Sequence, residues 1–191
     1  MVVYAATGHI LVMRRADLPD FWQSVTGSLD PGERPAATAV RELFEETGLT
    51  TTVSRADTLD AYLAECDAEA LLNVSTSGAS TADAPPVNAE FGSLAPRTSE
   101  AGQLTLKLFN CQTTNQYPIR SVWRRRYAPG VTHNTEHVFL ARLPETLAIT
   151  LAAAEHTAFE WLAPNDALER LSSPTNRAAV TQWVLGHEQD R

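Results

Sequence analysis

The sequence is poor in cysteine, has no long apolar run and carries no basic excess, and each absence narrows what it does. Two cysteines in 191 residues cannot build a disulfide framework, and Cys66 and Cys111 lack metal-knuckle spacing. Both read as small core or loop thiols, which predicts a reducing, cytoplasmic setting. No stretch approaches the roughly 20 apolar residues needed to span a bilayer, so no membrane partner is expected. Met1-Val2-Val3-Tyr4 has neither a basic leader nor a small-residue cleavage site, which predicts no signal peptide, and the chain starts inside its first strand. A net charge of −8 argues against sequence-independent binding to nucleic acid, which needs a basic face. Phosphorylated small molecules stay open, because a bound metal ion reverses the local electrostatic logic. With 43% hydrophobic residues and no internal repeat, the chain suits one domain over 1–191.

Residues 1–4 and 10–13 are apolar and β-prone around Thr7-Gly8, which reads as a strand hairpin. Residues 21–26 read as a short strand feeding Gly27, and 35–47 as a helix. Residues 61–72 suit a short helix. From about 73 to 103 the chain is rich in Ser, Thr, Ala, Gly and Pro, so burial does not offset its ordering entropy and a flexible insertion is expected. Residues 104–109, 119–126, 137–143 and 159–162 read as strands, with a turn at Ala128-Pro129-Gly130. Helices are expected from 163 to 171 and 176 to 185. This order predicts an α/β (α+β) fold, a mixed β-sheet between helices.

The informative segment is the helix at 35–47 and the loop before it. At about 100° per residue, Ala36, Ala39, Val40, Leu43, Phe44 and Thr47 share one side and are expected to bury against the sheet. Glu42, Glu45 and Glu46 share the other. Arg41 stands one turn before Glu45, where an ion pair fixes a carboxylate rotamer. Pro35 suits a first turn and Gly48 a left-handed end. The three glutamates alone fit an ordinary solvated acidic face as well as they fit a site. The whole set of residues, from Gly27 and Glu33 onward, would coincide by chance on the order of once in 10⁸ starting points at typical usage.

Gly27, Glu33, Arg41-Glu42-Leu43, Glu45-Glu46 and Gly48-Leu49 resemble the signature box of the Nudix hydrolases. The resemblance implies the Nudix fold and a hydrolase of phosphoanhydride bonds that uses Mg²⁺ (or Mn²⁺). It makes Glu42 and Glu46 metal ligands, Glu45 a further ligand or orienter, and Arg41 a support paired with a glutamate. Segments outside the box, among them 19–27, Arg125-Arg126-Tyr127-Ala128-Pro129-Gly130-Val131-Thr132 and Glu155-His156, resemble the bacterial branch that hydrolyses dihydroneopterin triphosphate in folate synthesis and also accepts dATP-like nucleotides. That resemblance implies Glu155 as a metal ligand from outside the box. It implies Arg15, Thr26, His156 and Ser173 as substrate contacts, with Tyr117-Pro118-Ile119-Arg120 lining the pocket. Glu45 and Glu155 are both candidates to take the proton from water.

Two other functions are weighed against this one. A broader (d)NTP pyrophosphatase would share the chemistry; a binding module that keeps the fold without hydrolysis is disfavoured because every box carboxylate is present. Trp22, Trp123, Trp161 and Trp183 read as core. Arg124-Arg125-Arg126 reads as structural ion pairs on a solvated strand edge, and His133 and His137 have no zinc spacing.

Overall fold

The computed structural model describes residues 1–76 and 106–189. Among them are the strands β1 (Val2–Ala5), β2 (Ile10–Arg15), β3 (Trp22–Gln23), β4 (Thr51–Val53), β5 (Leu106–Pro118), β6 (His133–Leu143) and β7 (His156–Leu162). The helices are α1 (Pro35–Thr47), α2 (Leu59–Thr76), α3 (Pro164–Arg170) and α4 (Pro174–Val180); α4 runs through a π-helical stretch, Thr181–Leu185, into α5 (Gly186–Gln189). The strands form one mixed sheet in the order β3-β2-β1-β6-β5-β4, with β7 pairing β2 off that path. The β1–β6 and β4–β5 pairs are parallel and the remaining pairs antiparallel.

Strand alternation sorts the apolar side chains onto two faces. Val3, Leu11, Met13, Phe139, Ala141 and Leu143 pack with Ala39 and Leu43 of α1. Val2, Tyr4, Ile10, Val12, Val138 and Leu140 pack with Tyr62 and Leu63 of α2 and with Leu171, Val180 and Val184 of the C-terminal helices. The sheet is thus covered on both sides, and α1 holds one side.

Four local expectations are corrected. The strand expected over 21–26 is only Trp22–Gln23, because side chains take over the backbone donors beyond it. Ser24 N–H donates to Asn176 Oδ1 (3.1 Å) and Thr26 N–H to Glu46 Oε2 (3.3 Å). Residues 119–126 are no strand but consecutive turns, with Trp123 N–H on Arg120 O (3.0 Å) and Arg126 N–H on Trp123 O (2.9 Å). Helix α2 continues to Thr76, past the expected start of the insertion at 73; the rest of that insertion lies outside the described residues. Helix α1 has its expected bounds but not its expected roll. Phe44 is 58% exposed, while Thr38, Ala39, Glu42, Leu43, Glu46 and Thr47 are buried. On a helical wheel the buried arc is turned by roughly 70° toward the carboxylates. Two glutamates therefore lie inside the face that packs.

Candidate active site

Burying Glu42 and Glu46 requires partners, since a desolvated carboxylate is costly alone. The glycine loop supplies some of them. Ser28 N–H donates to Glu42 Oε1 (3.2 Å), and Thr26 N–H reaches Glu46. The loop comes so close that a Cβ on Gly27 would stand 1.9 Å from Glu42 Cδ. Gly27 is thus required by proximity, and this gives a first prediction. Gly27→Ala should displace the Glu42 carboxylate and lower turnover about 100-fold, the scale of an ångström-sized misplacement, with little loss of thermal stability because the side chain that yields is flexible. Comparing kcat with the melting temperature of the variant checks this.

Arg41 gathers the remaining acids. Its Nε and Nη2 donate to both oxygens of Glu33 (3.1 and 2.9 Å), and its Nη1 to Glu42 Oε1 (2.8 Å) and Glu45 Oε2 (3.1 Å). Nη2 also reaches the Ser28 carbonyl at 3.0 Å, tying the loop to the helix. The expected Arg41–Glu45 pair is present, but the bidentate grip on Glu33 is the larger feature. Hydrogen bonds from Arg41, the Asp30 backbone and Thr38 hold the Glu33 carboxyl down to about 2. Arg41 thus acts through the carboxylates it orients. Glu45 keeps a side chain 52% exposed.

Among the described residues Glu46 is the most enclosed acid, with 1% of its side chain exposed. Burial pushes its carboxyl above the usual range, and burial does the same to Glu42. His156 Nε2 stands 3.3 Å from Glu46 Oε2, without hydrogen-bond alignment, and Glu46 Oε1 has no partner. Ligand atoms of Glu46, Glu155 and His156 lie within 4.8 Å of one another. Glu155 reaches this place through a loop hung on both neighbours. Thr150 N–H donates to Thr47 O (2.9 Å) at the end of α1, and Ala16 N–H donates to Glu155 O (2.8 Å) beyond β2.

One cavity of about 710 Å³ is lined by Arg15, Thr26, Tyr117, Arg120 and Ser173 together with Arg41, Glu42, Glu45 and Glu155. Of the candidates named from sequence, Ile119, Glu46 and His156 do not face it and are buried, and the others do. The His156 side chain is fully buried, so in this structure it contacts Glu46 rather than the open cavity. A register break in the β2–β7 ladder at Arg14/Arg15 re-aims Arg15, as such irregularities do. Ser173 is also the cap of α4, accepting from Asn176 N–H at 3.4 Å.

Sequence reasoning missed part of the wall. Trp123, expected in the core, lines the cavity with its ring edge-on to Phe21 (5.3 Å). Asp17 accepts from Arg15 Nε (2.6 Å), Arg126 Nη2 (2.8 Å) and Trp123 Nε1 (3.1 Å). The Arg15 hydrogen bonds are the main reason the Asp17 carboxyl falls to about 2. Of the arginine run, Arg126 forms an ion pair as expected, but in the cavity wall; Arg124 donates to Ile119 O (3.3 Å). Trp22, Trp161 and Trp183 do pack against the core.

A mixed sheet carrying a glycine loop and a helix of paired carboxylates defines a class. A NUDIX domain model matches residues 1–69, which hold the loop and α1, and with the relatives below it shows that the chain belongs to the Nudix hydrolase family, whose members generally use a divalent metal. Within the family the chain is similar to dihydroneopterin triphosphate diphosphatase of Escherichia coli (strain K12), 34% identical over 186 residues, 97% of this chain and 89% of that one. It is 29% identical over the same length to the Haemophilus influenzae protein of that name, covering 85% of it. The structure of the E. coli dihydroneopterin triphosphate pyrophosphohydrolase matches with a TM-score of 0.65 and 32% identity, over 97% of this chain and 92% of that one. Among the described residues no helix is long and apolar enough to cross a membrane.

Proposed function

We propose that this chain hydrolyses dihydroneopterin triphosphate to dihydroneopterin monophosphate and pyrophosphate, in the cytoplasm and with Mg²⁺ (Mn²⁺ being the nearest substitute). The observation that carries the reading is the meeting of Glu155 with Glu46 beside a cavity lined by Arg15, Thr26 and Ser173. The relatives named above supply the substrate.

The residues fit a hard divalent cation. Glu46 Oε1 is buried without a partner, the Glu155 carboxylate is next to it, and oxygen donors are what Mg²⁺ prefers. Glu42, Glu46 and Glu155 would hold the metal, with Glu45 nearby. When bound, it would supply a lowered water pKa and charge neutralisation on the phosphates. Imidazole suits softer metals, so His156 is assigned to enclosing Glu46 rather than to holding the metal. Arg41 sets the rotamers of Glu42 and Glu45. Arg15, clamped by Asp17, turns its remaining donors toward phosphate oxygens in the geometry guanidinium favours. Glu155 takes the proton from the attacking water, because it carries no ion pair among the described residues while Glu45 is held by Arg41.

The test is pyrophosphate release over a triphosphate panel, with and without Mg²⁺. Dihydroneopterin triphosphate should give the highest kcat/KM and no release with chelator. Equal rates on dATP and damaged nucleotides would favour the broader (d)NTP pyrophosphatase. Binding without turnover in Mg²⁺ would sink hydrolysis altogether.

A further inference from the structure

Glu136 is out of place in a site that only grips phosphate. It sits on β6 in the wall shared by the cavity above and an adjoining one of about 720 Å³. Among the described residues no arginine or lysine pairs with it. Its hydrogen bond is a long one from Asn115 Nδ2 (3.5 Å), and the Met1 ammonium acts on it through space without an ion pair. A fixed carboxylate near a triphosphate weakens binding by like-charge repulsion. Such a group is useful there only if the substrate brings donors to it.

The surroundings suit a flat ring. Tyr117 and Tyr127 line both cavities with Glu136, and Asn134 Nδ2 fixes the Tyr117 hydroxyl at 3.0 Å. Three cations of the same cavity, Arg15, Arg120 and Arg126, suit the phosphate end of a substrate, while Arg41 is held by Glu33, Glu42 and Glu45. An ionised carboxylate is an acceptor on both oxygens and best receives two adjacent N–H groups. A 2-amino-4-oxo pyrimidine edge, common to pterins and guanine, presents that pair as a ring N–H beside an exocyclic amino group. Adenine presents a donor beside an acceptor, which sets a nitrogen lone pair against a carboxylate oxygen.

We propose that Glu136 is a specificity-determining residue that accepts the paired N–H donors of a 2-amino-4-oxo pyrimidine ring and so favours pterin- or guanine-type triphosphates over adenine-type ones. The proposal rests on the triphosphate reading above and adds the ring end of the substrate to it.

The experiment measures kcat/KM of the wild-type chain and Glu136→Gln on dihydroneopterin triphosphate, dGTP and dATP. A fluorescence titration with 7,8-dihydroneopterin and with adenosine, free of phosphate and metal, runs beside it. In Glu136→Gln the ratio of dihydroneopterin triphosphate to dATP should fall by about 10- to 100-fold, the scale of lost charge-assisted hydrogen bonds, and dihydroneopterin should bind more weakly by a similar factor. The amide gives adenine the donor and acceptor it matches, so dATP should gain. Glu136→Ala should lose the pterin preference without that gain. The dGTP arm separates pterin from guanine as the natural ring. Equal losses on all three triphosphates, or undiminished dihydroneopterin binding, would overturn the assignment. A chain that cleaves none of them yet loses ring binding in Glu136→Gln would sink hydrolysis and keep the ring recognition.

Discussion

Glu46→Gln should lower metal-dependent pyrophosphate release about 1000-fold, in the upper range for losing one preorganised electrostatic group, and leave the metal-free protein at least as stable as before. Both halves follow from burial. The carboxylate is enclosed, its Oε1 has no partner, and His156 stands close without an aligned hydrogen bond. Such a charge is costly to the empty fold, and glutamine keeps its shape without it. The pH dependence carries the same sign. Because burial raises the folded carboxyl above its ordinary value of 4.5, the native state holds that proton more tightly than the unfolded chain does. Metal-free stability should therefore fall as pH rises from about 4.5 through the folded value, and this slope should shrink in the variant to what Glu42, raised in the same way, still contributes. Saturating Mg²⁺ at about 100 times its Kd would stabilise the wild type by about 2.7 kcal/mol, roughly 5–10 °C in melting temperature for a chain of this size. The variant should show almost none of that shift. Wild-type turnover in Glu46→Gln would remove Glu46 from the metal site.

Local punctuation made α1 readable. Pro35 opens the helix and Gly48, at φ 74° with its N–H on Phe44 O, closes it, so the bounds follow from two residues. Its roll was not readable, because an acidic residue scores as solvent-facing in any pattern and only the loop at 26–28 shows otherwise. Phe44 was assigned inward for the same reason. The 119–126 segment misled because Ile119, Val122 and Trp123 supply the bulk of a strand, yet Val122 is 53% exposed and the backbone closes on itself in turns. Long-range joins have no local signature. Asp17 meets Trp123 and Arg126 more than a hundred positions away. Glu155 reaches Glu46 because a loop is hung from two separate elements, which resemblance to a family implied and composition did not.

Comparing Glu155→Gln with Glu45→Gln separates the two acids left open as proton acceptor. Glu155 is exposed on its loop, so its replacement should change stability by no more than about 0.5 kcal/mol, as for ordinary surface positions. Its effect should fall on kcat, by about 10²- to 10⁴-fold, the span expected for a positioned general base, with KM little altered. Glu45 has a weaker claim. Arg41 Nη1 donates to its Oε2 at 3.1 Å, which ties that oxygen to the guanidinium instead of leaving it free to meet a water. Glu45→Gln should therefore cost about tenfold, through Arg41 settling differently between Glu33 and Glu42, on the scale of one lost charge-assisted hydrogen bond. A reversed order, with Glu45→Gln the more damaging in kcat and Glu155→Gln nearly active, would move the base onto α1 and leave Glu155 as a metal ligand at most.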